Sequence, residues 1–261
     1  MNRVWLSSLL MVFSLNTAAM GADSSGDDGL NAEYRRLMEL AKAKRRPVKA
    51  FDGTLDVSNS PAMGSVNAAV VLVEFGDYQC PYCRRHLQNT AQQLRTDWVL
   101  DGDLLYVFED FPLEAKHPLA PGAAEAARCA DEQGRYWEMR NVLYGSQKAL
   151  HEAFLPAHAQ AAGLDEGSFN QCMESGRNRP AVQRSSELGK SLGVWGTPAF
   201  FLGLNGGDGK VLVKRRIAGA VPYETFKKEI ESLLAMASAM EQEKEKPSID
   251  RRVSQTESGI R

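Results

Sequence analysis

The sequence predicts an α/β protein in which a βαβ unit and a later ββα unit are separated by an all-helical insert. Three observations lead there. Residues 68–75 and 104–108 are short, nearly unbroken apolar runs with a helical pattern between them, as expected for a parallel strand pair covered on both faces. Residues 117–193 carry helical periodicity and no strand pattern. Residues 199–202 and 210–217 are apolar runs parted by Asn205, Gly206, Gly207, Asp208 and Gly209, which read as a β-hairpin, and a helical stripe follows.

The chain has 261 residues, 43% hydrophobic and 25% charged, a balance that supports a globular core and excludes disorder throughout. A formal net charge of -2 offers no basic footprint for phosphates, so nucleic-acid binding is set aside. At the start, Asn2 and Arg3 precede an apolar stretch over residues 4–15 and the small residues Ala18, Ala19 and Gly21. That layout predicts a signal peptide over residues 1–21 and export of the remainder. The alternative is an uncleaved membrane anchor; a span takes about 20 consecutive apolar residues, and Ser7, Ser8, Ser14, Asn16 and Thr17 interrupt this one.

Residues 22–67 read as an N-terminal helix and linker. The helix covers residues 31–46, with Tyr34, Leu37, Met38 and Ala41 on one face and Pro47 ending it; one short edge strand is expected in residues 51–67. The first half of the sheet domain, residues 68–116, contains the strand 68–75, a turn at Gly76 and Asp77, and Pro81 at a first helical position. Its helix, 84–98, has Leu87, Ala91, Leu94 and Trp98 at helical spacing, and the strand 104–108 follows. The insert, residues 117–193, divides into helices over 123–143, 155–162, 168–173 and 181–192. The second half, residues 194–240, holds the hairpin and a last helix striped by Phe226, Ile230, Leu233, Leu234 and Ala237. Residues 241–261 are charged and nearly devoid of core side chains, a disordered tail by composition.

Cys80, Pro81, Tyr82 and Cys83 stand where the first strand gives way to its helix. First-turn N–H groups and the helix dipole favour a negative sulfur at Cys80, lowering it from the value of about 8.5 for a free thiol. Cys80 is therefore the expected attacking thiolate. Cys83, one turn in, is the expected resolving thiol, near enough for a bond that closes a very small loop. The competing reading is zinc held by Cys80, Cys83 and His86, but a structural site takes four ligands and neither Cys129 nor Cys172 has a partner at short spacing. No metal and no cofactor is assigned, and His86 reads as a helix-surface residue.

With these residues in place, the sequence resembles the DsbA-type thiol-disulfide oxidoreductases, which carry a helical domain inserted in a thioredoxin fold. The matching stretches are residues 73–83, then Asp110, Phe111, Pro112 and Leu113 with His117 and Pro118, and Gly193 to Pro198; together they span about residues 68–234. The resemblance implies a periplasmic location and a cis bond between Thr197 and Pro198, with Thr197 offering backbone groups to an extended client. It makes Thr197, Pro198, Pro81 and Tyr82 the candidate substrate-binding residues. It also implies that Glu74, a lone charge in the apolar strand, moves protons to and from Cys83; the other reading has Glu74 reaching solvent at the strand end. Some relatives pair this acid with a lysine on the adjacent strand, and residues 104–108 contain none.

In an oxidising compartment Cys129 and Cys172 form a disulfide stapling the insert; two buried free thiols or a relay to Cys80 are the alternatives. Within the redox reading the chain oxidises the thiols of client proteins, or isomerises or reduces their disulfides, with a membrane redox partner implied by family analogy. The segment before residue 68 is too short for a full dimerisation domain, which favours an oxidase. Assembly through the 31–46 helix would favour an oligomeric isomerase. A non-catalytic client-binding chaperone module is the reading of a different class.

Overall fold

The structure, a computed structural model, describes residues 48–245 together with Arg36. The expected signal peptide, the 31–46 helix and the tail beyond residue 245 lie outside the described residues.

Six strands form one sheet: β1 (Val48–Asp56), β2 (Ala62–Met63), β3 (Val70–Gly76), β4 (Leu104–Asp110), β5 (Ala199–Gly207) and β6 (Lys210–Ala218), in the order β1-β6-β5-β3-β4-β2. Central β3 is buried at every position, as its unbroken apolar run requires. It runs parallel to β4, with Val70 opposite Leu104, and antiparallel to β5, with Val70 opposite Leu204. Strand alternation then sorts its side chains. Val71, Val73 and Phe75 meet Phe111, Phe201 and Val213 on one face, while Val70 and Leu72 meet Tyr106, Phe200, Phe226 and Ile230 on the other. Glu74 shares the second face.

Between β3 and β4 one continuous helical segment, α1, runs through Pro81–His86, Leu87–Ala91, Gln92–Leu94 and Arg95–Val99, the second and fourth pieces being π-helical. After β4 come α2 (Ala120–Asp131), α3 (Tyr136–Gly145), α4 (Leu155–Ala161), α5 (Glu166–Ser175) and α6 (Arg179–Ser191), and α7 (Tyr223–Glu245) closes the described chain.

Four boundaries differ from the sequence-based expectation. Edge strands form on both sides of the sheet: β1 pairs with β6 and β2 with β4. The expected helix over 123–143 is two helices, because Gly134 takes a left-handed φ of 68° that a continuing helix cannot contain. The hairpin is tighter than its glycines suggest; β5 pairs as far as Gly207, leaving Asp208 and Gly209, both at positive φ, as a two-residue turn. The last helix reaches Glu245, into the stretch whose composition reads as tail.

Candidate active site

At the end of β3, Gly76 lies against Phe108, whose ring a Cβ would strike. The carboxylate of Asp77 then organises the turn. Its Oδ1 accepts from the N–H of Gln79 at 2.8 Å and of Cys80 at 3.1 Å, and its Oδ2 accepts from the N–H of Leu113 and pairs with His117 Nδ1, both at 2.8 Å. Cys80 is left as the N-cap of α1 with extended φ and ψ, Pro81 occupies the first turn, and Arg84 N–H donates to Cys80 O at 3.2 Å.

Cys80 is 4% exposed and Cys83 fully buried, and neither is bonded. The Cys80 thiol donates to Thr197 O at 3.2 Å across the cis Thr197-Pro198 bond, so β3, α1 and the entry to β5 converge on one sulfur. A hydrogen bond from the Cys83 side chain, opposed by burial and helped by the N–H groups of Cys83 and Tyr82, lowers Cys80 from 9.0 to about 6. Burial, and then the nearby Cys80 and Glu74, push Cys83 well above 9.0. The two thiols thus differ sharply in acidity one helical turn apart. Around the mouth, Tyr82 is 54% exposed beneath the guanidinium of Arg85, and Trp195 is 89% exposed.

Glu74 does not reach solvent; it is fully buried. Its Oε2 accepts from Tyr106 Oη and from Arg140 Nη2, both at 2.6 Å. Tyr106 in turn lies 3.0 Å from His86 Nε2, and burial holds His86 near 4, neutral at physiological pH. Since Tyr106 donates to Glu74, the His86 Nε2–H donates to Tyr106. The reading of His86 as a surface residue is corrected: it is 1% exposed and packs against Phe200 and Phe226. Among the described residues no group of three or more His, Cys, Asp or Glu is arranged to hold a metal.

The insert also grips the turn directly. Gln147 Nε2 donates to the carbonyls of Tyr78 and Cys80 at 2.8 and 2.9 Å, Leu119 N–H donates to Gln79 Oε1 at 2.6 Å, and Tyr78 Oη meets Tyr136 Oη at 3.0 Å. Arg140, Gln147, Tyr106 and the organising role of Asp77 are not legible in the sequence; the one available signal is that Asp77 and His117 both fall in the stretches that resemble the family. Cys129 of α2 and Cys172 of α5 are joined by a disulfide, with Asn178 Nδ2 3.2 Å from the Cys172 sulfur.

A family model described as thioredoxin matches residues 56–232. Among solved structures, a thioredoxin-like oxidoreductase from Silicibacter pomeroyi is 27% identical, covering 67% of this chain and 91% of its own, with a TM-score of 0.55. α-DsbA1 of Wolbachia pipientis has the same fold at 22% identity, covering 70% of this chain and 94% of its own, with a TM-score of 0.61. Among curated proteins, a Na(+)/H(+) antiporter NhaA 1 of Salinispora arenicola is 33% identical over 148 residues, 57% of this chain and 22% of the relative. The chain spans about a quarter of the length of the curated relatives it matches. Among the described residues no helix is long and apolar enough to cross a membrane.

Proposed function

Because this chain belongs to the thioredoxin family, whose model covers residues 56–232, we propose that it is an exported thiol-disulfide oxidoreductase of DsbA type, with Cys80 and Cys83 as its working pair. The observation that carries this is the acidity gap: an acidic thiol at a helix start, with a buried, reluctant thiol behind it. In the oxidising direction, a client thiolate attacks Cys80 Sγ of the closed pair. The Cys80–Cys83 bond breaks, and Cys83 leaves with the electron pair and takes a proton. A second client thiolate then attacks the client sulfur of the mixed disulfide. The client disulfide forms, Cys80 departs as a thiolate, and two electrons have passed from client to protein.

A low Cys80 pKa suits that departure, because a more acidic thiol leaves faster and stabilises the reduced protein. Oxidation is therefore the favoured direction. Reoxidation passes the two electrons to a membrane redox partner, and periplasmic export agrees with the layout of residues 1–21 and with a disulfide in the insert. Thr197, with Pro198, Pro81 and Tyr82, lines the rim where an extended client would lie. Glu74 exchanges the Cys83 proton.

Oxidation of reduced, unfolded ribonuclease, reduction of insulin, and the potential of the pair test this reading. Cys80→Ser is expected to abolish exchange, and Cys83→Ser to accumulate mixed disulfides with clients. Full activity in Cys80→Ser would overturn the proposal. A potential of about -120 mV supports the oxidising direction, and one of about -270 mV reverses it.

A further inference from the structure

We propose that Arg140, delivered by α3 of the helical insert, is a positioning residue for the exchange: it anchors Glu74 as a carboxylate with one oxygen tied and the other left to take the Cys83 proton. This deepens the Cys80 and Cys83 reading and rests on it.

The geometry separates the two oxygens of Glu74. Oε2 takes both donors, Arg140 Nη2 and Tyr106 Oη, at 2.6 Å. Oε1 is buried and has no protein donor. A carboxylate with one oxygen saturated and the other free is a directed base. A buried carboxylate is costly unless a counterion and donors meet it, and Glu74 is fully buried. Arg140 is the cation that faces it. The other titratable groups turned toward Glu74 are Tyr106 of β4, Tyr144 of α3, and Cys83 and His86 of α1, the last neutral; none of them supplies a positive charge.

Arg140 is itself held in place. Its guanidinium lies 5.0 Å from the Phe108 ring centroid, 5.3 Å from Tyr144 and 5.4 Å from Trp137, so stacking fixes the plane of its donors. On its outer side a cavity of about 510 Å³, lined by Tyr106, Trp137, Arg140 and Leu87 among others, meets the same residues. When a mixed disulfide is resolved, Cys83 passes its proton to Glu74 Oε1 and its sulfur attacks Cys80 Sγ. The Cys80–Cys83 bond forms, the bond from Cys80 to the client sulfur breaks, and the client leaves as a thiolate.

The test is stopped-flow reaction of the reduced full chain with a fluorogenic peptide disulfide. The release of the second peptide thiol is followed across the neutral pH range. Arg140→Met should slow that phase about 100-fold and change its dependence on pH; Arg140→Lys should restore the wild-type profile. In a Glu74→Gln background, adding Arg140→Met should leave the profile unchanged, a comparison that also serves if Arg140→Met alone does not fold. Equal slowing at every pH, failure of lysine to rescue, or a further change of profile in the Glu74→Gln background overturns the proposal. Persistence of both phases in Cys80→Ser would instead overturn the exchange reading beneath it.

Discussion

The protein holds two cysteine pairs under opposite physical regimes. Cys80 and Cys83 lie one helical turn apart, open, with one thiol acidic and the other reluctant. Cys129 and Cys172 lie 43 residues apart on α2 and α5, closed and buried among Met139, Leu155 and Phe169. The first bond would close so small a loop that it adds little to folding, which suits a bond that is made and broken. The second removes the freedom of a long loop from the unfolded chain. The two pairs differ in the groups around their sulfurs: at Cys80 the Cys83 side chain and the N–H groups of Cys83 and Tyr82 favour a thiolate, whereas at the closed pair one side-chain amide, that of Asn178, meets sulfur within apolar packing.

The sharpest way to break the contrast is Cys80→Ser, which should reduce exchange to background in the insulin assay while near-ultraviolet circular dichroism keeps its native shape. Next in size, removing the staple with Cys129→Ala and Cys172→Ala should cost up to about 4 kcal/mol in denaturant unfolding and leave the Cys80 titration in place. A loss of Cys80 acidity in that variant would show that the pairs are coupled after all.

A third experiment probes the network behind Cys80 and Cys83. His86 has an ordinary value of 6.5 and a folded value near 4, so the unfolded chain binds its proton first. The stability it contributes is complete above pH 6.5 and is lost as pH falls from there through 4, at about 1.4 kcal/mol per pH unit. His86→Phe should lack that acid limb in urea unfolding. Within the open pair, thiolate absorbance should give a midpoint of about 6 for Cys80, and Cys83→Ala should raise it, because the Cys83 hydrogen bond is the largest cause of the lowering. The smallest effect belongs beside the staple. Arg177→Ala removes an exposed pair with Glu132, which water and salt screen, and should leave both melting temperature and thiol titration where they are.

Local chemistry decided much of this molecule, and it is legible. The buried run that became β3, the turn before Pro81 and the hairpin glycines each encode their element within a few residues, because hydrophobic period and backbone freedom act over that range. Cys80 and Cys83 are legible for the same reason: a strand end, a proline and a helix start are neighbours in the chain. Thr197 and Pro198 could be named only through resemblance, since nothing nearby marks them as facing Cys80.

The tertiary structure alone decided the surroundings of Glu74. Arg140 is 66 residues away from it and Tyr106 is 32, and neither spacing leaves a periodic trace. His86 looked like a surface residue because its class is usually exposed, whereas α1 turns it into the sheet face beside Phe200. A buried charge persists only where the fold brings a counterion and donors to it. That condition is met by a tyrosine of β4 and an arginine of a helix inserted far along the chain, so it is written in the packing and not in any stretch of sequence.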